Sequence, residues 1–218
     1  MILSRIELAP GAASNPAYWG LFRDGYRLHQ AVWDLFADHA DRRRDFLYRL
    51  DLVRGRPRLL TLSDREPKTN DLWRVESKCF EPRLAPGDRL RFQLRVNPVV
   101  TRQGKRHDMV MDAKAALKGA GDAAAERPPE SELVQRSGVA WLLARAEKLG
   151  VEVDEPTLRA DGYEVHRFPR RGVPVTLATL DLTGLLRVVD PLVFLGQVCA
   201  GIGPAKGFGC GLMLLARA

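Results

Sequence analysis

At 218 residues, 45% of them hydrophobic, the chain has room for one large domain or two small ones, each with its own core. No apolar run approaches the ~20 residues needed to span a bilayer, and Met1-Ile2-Leu3-Ser4-Arg5 lacks a signal-peptide pattern, so the chain reads as soluble and cytoplasmic. Cys79, Cys199 and Cys210 stand at unrelated spacings, which argues against a disulfide framework and paired zinc ligands and suggests packing, while the net charge of +7 points toward a polyanionic partner.

The opening run Met1 to Leu8 alternates apolar and polar residues near its end, as a half-buried strand does. After Pro10-Gly11 and Asn15-Pro16, the spacing of Leu28, Val32, Leu35 and Phe36 predicts an amphipathic helix with Asp24 as its N-cap. On that helix Tyr26, His29 and Trp33 form a second stripe at the edge of the apolar one. An imidazole placed there meets water and can serve as a general acid or base, and a tyrosine one turn earlier can hold a phosphate or orient a hydroxyl. The alternative for His29 is a partly buried ring packed on Trp33.

Asp45 to Leu50 and Arg58 to Leu62 predict a hairpin joined by Arg54-Gly55-Arg56-Pro57, and no second helix is readily placed between Asp64 and Pro82. Arg89 to Val96 alternates strictly, with Arg89, Arg91, Gln93 and Arg95 on the polar face. From Thr101 to about Glu132 the composition turns small, charged and proline-containing, and a flexible linker is expected. A helix from about Ser131 to Leu149 follows, then a hairpin of Tyr163 to Phe168 with Val173 to Leu182, a helix opened by Asp190-Pro191, and a final strand from Leu212 to Leu215.

Strand, helix, hairpin and strand, then a similar order again, predict an α+β chain of two tandem ferredoxin-like (RRM-like) domains. The expected division is residues 1–100 with the His29 helix, a linker over 101–132, and residues 133–218. Neither half carries the strand aromatics on which an RNA-recognition motif stacks bases.

Arginine dominates the positive charge, and its planar fork suits phosphate; a GC-rich genome would give the same bias. Arg167, Arg170 and Arg171 cluster at the second hairpin tip, Arg42-Arg43-Arg44 follow the first helix, and Lys105 and Arg106 adjoin the linker. Each group is a candidate nucleic-acid contact or a solvated turn. His39, His107 and His166 share no metal-ligand spacing with a carboxylate pair, and no G-x-S-x-G is present, so neither metal nor serine chemistry is indicated and no cofactor is implied. Last comes Gly201-Ile202-Gly203-Pro204-Ala205-Lys206-Gly207-Phe208-Gly209-Cys210-Gly211. Its glycines let backbone approach a ligand, and its exposed amides suit an anion such as phosphate, though it is equally a tight connection into the last strand. It does not match a nucleotide-triphosphate loop, because Lys206 precedes Gly207 and no helix pattern follows.

Together these residues resemble the CasE family, the CRISPR-associated endoribonuclease subunit of the type I-E Cascade complex. The resemblance rests on Leu3 to Leu8, the Tyr26-Arg27-Leu28-His29 helix through Phe36, Arg44-Asp45-Phe46-Leu47-Tyr48, Leu94 to Pro98, and Gly201 to Gly211. Gly11 to Gly20 and Ala113 to Pro129 are less typical. The resemblance implies metal-independent cleavage of repeat hairpins in precursor CRISPR RNA, leaving 5′-hydroxyl and 2′,3′-cyclic phosphate ends. It makes His29 the catalytic histidine and Tyr26 its companion. It implies that the mature guide RNA stays bound and that the other Cascade subunits are partners. Lys206, Arg167 or Arg171 would stabilise the phosphorane. Lys105, Arg106, Arg167, Arg170, Arg171, Gly203, Lys206, Gly207 and Gly209 would contact RNA. A non-catalytic hairpin-binding subunit and a structural assembly protein are the alternatives.

Overall fold

The computed structural model describes residues 1–14, 25–39, 42–119, 128–170 and 173–218. The expected N-cap Asp24, the side chains of Tyr26 and Arg170, and the whole of Arg171 lie outside the described residues.

The first sheet contains β1 (Ile2–Leu8), β2 (Phe46–Val53), β3 (Arg56–Ser63) and β4 (Trp73–Cys79) in the antiparallel order β2-β3-β1-β4. The β2–β3 turn carries Arg54 and Gly55 at φ 52° and 74°, the left-handed pair that a two-residue hairpin needs. Helix α1 (Gly25–Asp34) lays the predicted stripe of Leu28 and Val32, continued by Leu35 and Phe36, on Ile6, Tyr48 and Leu59 of this sheet. Where a second helix was hard to place, the chain forms β4.

The second sheet repeats the same permutation with β5 (Arg89–Val96), β8 (Val151–Arg170), β9 (Val173–Val188) and β10 (Met213–Arg217), in the order β10-β5-β9-β8. Helices α3 (Glu130–Leu149) and α4 (Pro191–Ala200) pack in the core of this half. As predicted, α4 opens at Asp190-Pro191 with Pro191 in its first turn, and Asp190 caps it by accepting from the backbone of Leu192 and Val193. Trp141 of α3 is fully buried at the centre of the core, among Leu94, Leu180 and Phe194.

Two expectations from sequence change here. Strand β5, grouped with the N-terminal half by its position, pairs with β9 and β10, so the break between sheets falls between Cys79 and Arg89. Alternation identifies a strand but not its partners. The stretch read as a flexible linker contains a hairpin of β6 (Val99–Arg102) with β7 (Lys105–Asp108), then helix α2 (Met109–Gly119). Asp108 caps α2 through the Val110 and Met111 amides and accepts from the Tyr163 hydroxyl at 2.9 Å, and Val110 is fully buried. Averaged composition hid this one cap and this one anchor.

The halves are joined by an apolar and an ionic seam. Leu47 and Leu62 pack on Leu212. Beside them Arg95 donates to both Asp181 oxygens at 2.9 and 2.7 Å and to the Leu50 carbonyl at 2.8 Å, and Arg49 pairs with Asp51 at 2.7 Å and Asp181 at 3.4 Å. A guanidinium from β5 is thereby bound to the backbone of β2. No described helix is long and apolar enough to cross a membrane.

Candidate active site

His29 comes from α1 of the first half, and the residues facing it come from the glycine-rich loop of the second. Its ring stacks on Phe208 at 5.4 Å between centroids with 29° between planes, and lies tilted against Trp33 at 5.9 Å. Phe208 also meets Phe168 of β8 at 5.0 Å. Three rings from α1, the loop and the long hairpin therefore converge, and His29 remains partly open to solvent. The ring packs against Trp33, as the packing alternative expects, and is partly exposed.

The loop is held from below. A 3-10 turn spans Lys206–Phe208, and the Tyr48 hydroxyl of β2 donates to the Gly207 carbonyl at 3.1 Å. Burial pushes the Tyr48 phenol up from its ordinary pKa, so it stays neutral and a donor at physiological pH. A Cβ at Gly207 would stand 3.5 Å from His29 Cε1 and 3.7 Å from Arg44 Nη1, so the missing side chain leaves open the space between imidazole and guanidinium.

The other loop residues divide by what they face. Lys206 donates from Nζ to the Ala200 carbonyl at 2.7 Å, at the C-terminal end of α4, where a cation suits the helix dipole. Burial, and then the nearby Arg44 charge, pull the Lys206 ammonium below its ordinary pKa. A Cβ at Gly203 would lie 3.0 Å from the Trp141 ring, and one at Gly209 3.3 Å from the Tyr48 ring, so these glycines admit protein rings. Cys210 is buried, its thiol pushed up to about 12 by burial, whereas Cys199 is half-buried and Cys79 is exposed, against the expectation that all three pack.

Arg167 is exposed on β8 beside Phe168, which brings it to the margin of this cluster. Lys105 and Arg106 are exposed on the separate β6–β7 hairpin. His166 bonds Thr179 at 3.0 Å and lines a cleft of about 460 Å³ between the halves, together with Tyr48, Asp51, Arg95, Phe168 and Phe208. Sequence alone assigns no site role to Tyr48 or Phe208, and gives Arg44 as one of three adjacent arginines and as part of the Arg44 to Tyr48 motif. The sole available signal was that Phe208 stood inside the glycine segment.

The family model described as CRISPR associated protein matches residues 1–217 of this chain. The Cascade subunit CasE of Escherichia coli is 30% identical over 198 residues, covering 89% of this chain and 92% of that protein. The CRISPR-associated endoribonuclease Cse3 of Thermus thermophilus is 30% identical over 227 residues, covering 93% and 96%. The structure of Thermus thermophilus Cse3 bound to an RNA representing a pre-cleavage complex superposes with a TM-score of 0.75 at 26% identity, over 99% of this chain and 98% of that one.

Proposed function

Because the chain belongs to the CRISPR associated protein family, we propose that it is a metal-independent endoribonuclease that cuts the repeat hairpins of precursor CRISPR RNA. It keeps the mature guide and works in the cytoplasm with the other subunits of a type I-E Cascade complex. The observation that carries this reading is the stacking of His29, on α1, against Phe208 of the glycine-rich loop, in a chain 30% identical to a named CRISPR endoribonuclease.

In the proposed reaction the ribose 2′-oxygen loses its proton to a base and attacks the adjacent phosphorus. The bond from phosphorus to the 5′-oxygen breaks, and that oxygen takes up a proton. A 2′,3′-cyclic phosphate and a 5′-hydroxyl result, with no net gain or loss of protons. His29 moves one of these protons, with Tyr26 beside it in sequence orienting the reacting group, and such transfer accounts for about 10²- to 10⁴-fold. An internal nucleophile asks mainly for alignment. Helix α1 and the loop hold the histidine while Arg167, Arg170 and Arg171 at the hairpin, and Lys105 and Arg106, follow the phosphate backbone of the stem. In this division the first sheet and α1 form the catalytic half, and the second sheet with its hairpin and loop forms the RNA-facing half.

The test is cleavage of repeat RNA in EDTA by wild-type and His29→Ala protein. Wild-type cleavage with a 2′,3′-cyclic end, and its loss in the variant, are expected. Full cleavage by His29→Ala would remove the assigned site. A 2′-deoxy at the cleavage position must block the reaction, and a protein that binds repeat RNA but never cuts it is the binding subunit instead.

A further inference from the structure

One cation beside the Gly207 gap has no described residue to neutralise it. Arg44, just before β2, is half-buried, and its buried Nη1 has no hydrogen-bond acceptor among the described residues. No described carboxylate lies within ion-pairing distance of its guanidinium, because the adjacent Asp45 is turned to Arg65 at 2.7 Å and to Arg42 at 4.0 Å. Lys206, whose ammonium feels the Arg44 charge, has the same sign and already donates to the Ala200 carbonyl. Desolvation lowers the pKa of Arg44 itself. A partly desolvated cation without a counterion costs stability, and a protein keeps one where a ligand supplies the missing charge. Gly207 supplies the room: His29 Cε1 and Arg44 Nη1 approach the same vacant Cβ position from two sides.

We propose that Arg44 binds the scissile phosphate, its guanidinium donating to a non-bridging oxygen in the gap over Gly207 while His29 moves the proton. The inference rests on the nuclease reading and deepens it by naming a cation for the phosphorane that sequence reasoning did not single out. Arginine suits the position because its fork grips two oxygens of a tetrahedral or trigonal-bipyramidal phosphorus, whereas Lys206 remains engaged at the end of α4. The added negative charge of the phosphorane strengthens such a contact in the transition state over the ground state, so the effect belongs to rate more than to affinity.

The test compares wild-type, Arg44→Gln and Arg44→Lys proteins in single-turnover cleavage of repeat RNA, in affinity for the 2′-deoxy hairpin, and in thermal midpoint. Arg44→Gln should cleave about 100-fold more slowly, on the scale of losing one charge-stabilising donor, and Arg44→Lys should recover part of that loss. Hairpin affinity should change less than about threefold, and the midpoint should hold or rise, because an uncompensated buried charge has gone. Inorganic phosphate should raise the wild-type midpoint more than that of Arg44→Gln. A cleavage rate of Arg44→Gln within about threefold of wild type overturns the inference alone. A midpoint that falls in both variants marks Arg44 as a structural residue and overturns it too. A wild-type protein that does not cleave repeat RNA overturns the nuclease reading, and this inference with it.

Discussion

Phe208 lies stacked on the imidazole of His29 at 5.4 Å and 29°, although one residue comes from the loop ahead of the last strand and the other from the first helix. The pair exists only because the second half closes onto the first. The ring fixes one face of the histidine, and Phe208 is itself packed against Phe168 at 5.0 Å. An aromatic pair of this kind contributes about 0.5–1.5 kcal/mol, so Phe208→Ala should slow single-turnover cleavage by up to about tenfold. Affinity for a 2′-deoxy hairpin should hold, which separates loss of alignment from loss of binding. An unchanged rate would show that the stack does not position His29.

Gly207 and Gly201 should respond to alanine in opposite ways. At Gly207 the new methyl meets His29 Cε1 at 3.5 Å and Arg44 Nη1 at 3.7 Å, ordinary contacts that leave the fold intact but fill the gap assigned to the phosphate. At Gly201, φ is 81° and the methyl would stand 2.6 Å from Leu47 Cδ2. Left-handed backbone costs a non-glycine residue about 1–2 kcal/mol before any clash. Gly207→Ala is therefore expected to keep its thermal midpoint and lose cleavage, and Gly201→Ala to lose midpoint first. Calorimetry beside a gel assay of repeat RNA distinguishes them.

Local signals in the chain carry the elements. The stripe Leu28, Val32, Leu35 marks α1, Asp190-Pro191 marks the start of α4, and strict alternation marks β5. Helix and strand periods, and a capping carboxylate, are properties of adjacent residues. What joins the halves is not local: Tyr48 to the Gly207 carbonyl, Arg95 to the Leu50 carbonyl and Arg49 to Asp181 are all contacts between segments far apart in sequence. No period relates such residues, so His29 was legible on a helix edge with Trp33 beside it, while Phe208 and Arg44 were not legible as its neighbours. The glycine loop was legible as unusual, but its glycines mostly admit Trp141, Tyr48 and Leu47, and only Gly207 opens toward the histidine and Arg44. Asp108 is a counterexample, a cap visible in the sequence but submerged in a stretch of polar composition.

The ionic seam gives a stability prediction. Asp181 accepts both bonds from Arg95 and faces Arg49, whose side chain is only 7% exposed. Removing the carboxylate by Asp181→Ala leaves two guanidinium groups to share Asp51, which reaches Arg49 at 2.7 Å and Arg95 at 3.9 Å. Breaking a buried pair by deleting one partner costs about 3–5 kcal/mol, and this partly solvated network should lie near the lower figure. Urea unfolding of Asp181→Ala should show the loss. The Arg95→Met and Asp181→Leu double variant should recover much of it, because apolar replacement removes the uncompensated charge. Equal losses in the single and double variants would refute the network account.

Acid should loosen the support of α1. The Arg65 side chain hydrogen-bonds Asp45 at 2.7 Å, pairs with Asp38 at 3.0 Å and donates to the Phe36 carbonyl just past α1, so it ties the end of the His29 helix to the residue that precedes β2. The Arg65 hydrogen bond, acting against burial, holds the Asp45 carboxyl below its ordinary 3.8. A depressed carboxylate contributes stability in full above its unfolded pKa of about 4, and the contribution fades as pH falls through the lower folded value. The midpoint of the wild type should therefore fall as pH drops below about 4. Arg65→Gln should start lower at neutral pH and lose less on acidification, so the two curves converge. Cleavage at neutral pH should also slow in the variant, since Asp45 adjoins Arg44 and Phe36 lies one turn beyond Val32. Parallel midpoint curves for the two proteins would show that Arg65 does not hold this carboxylate.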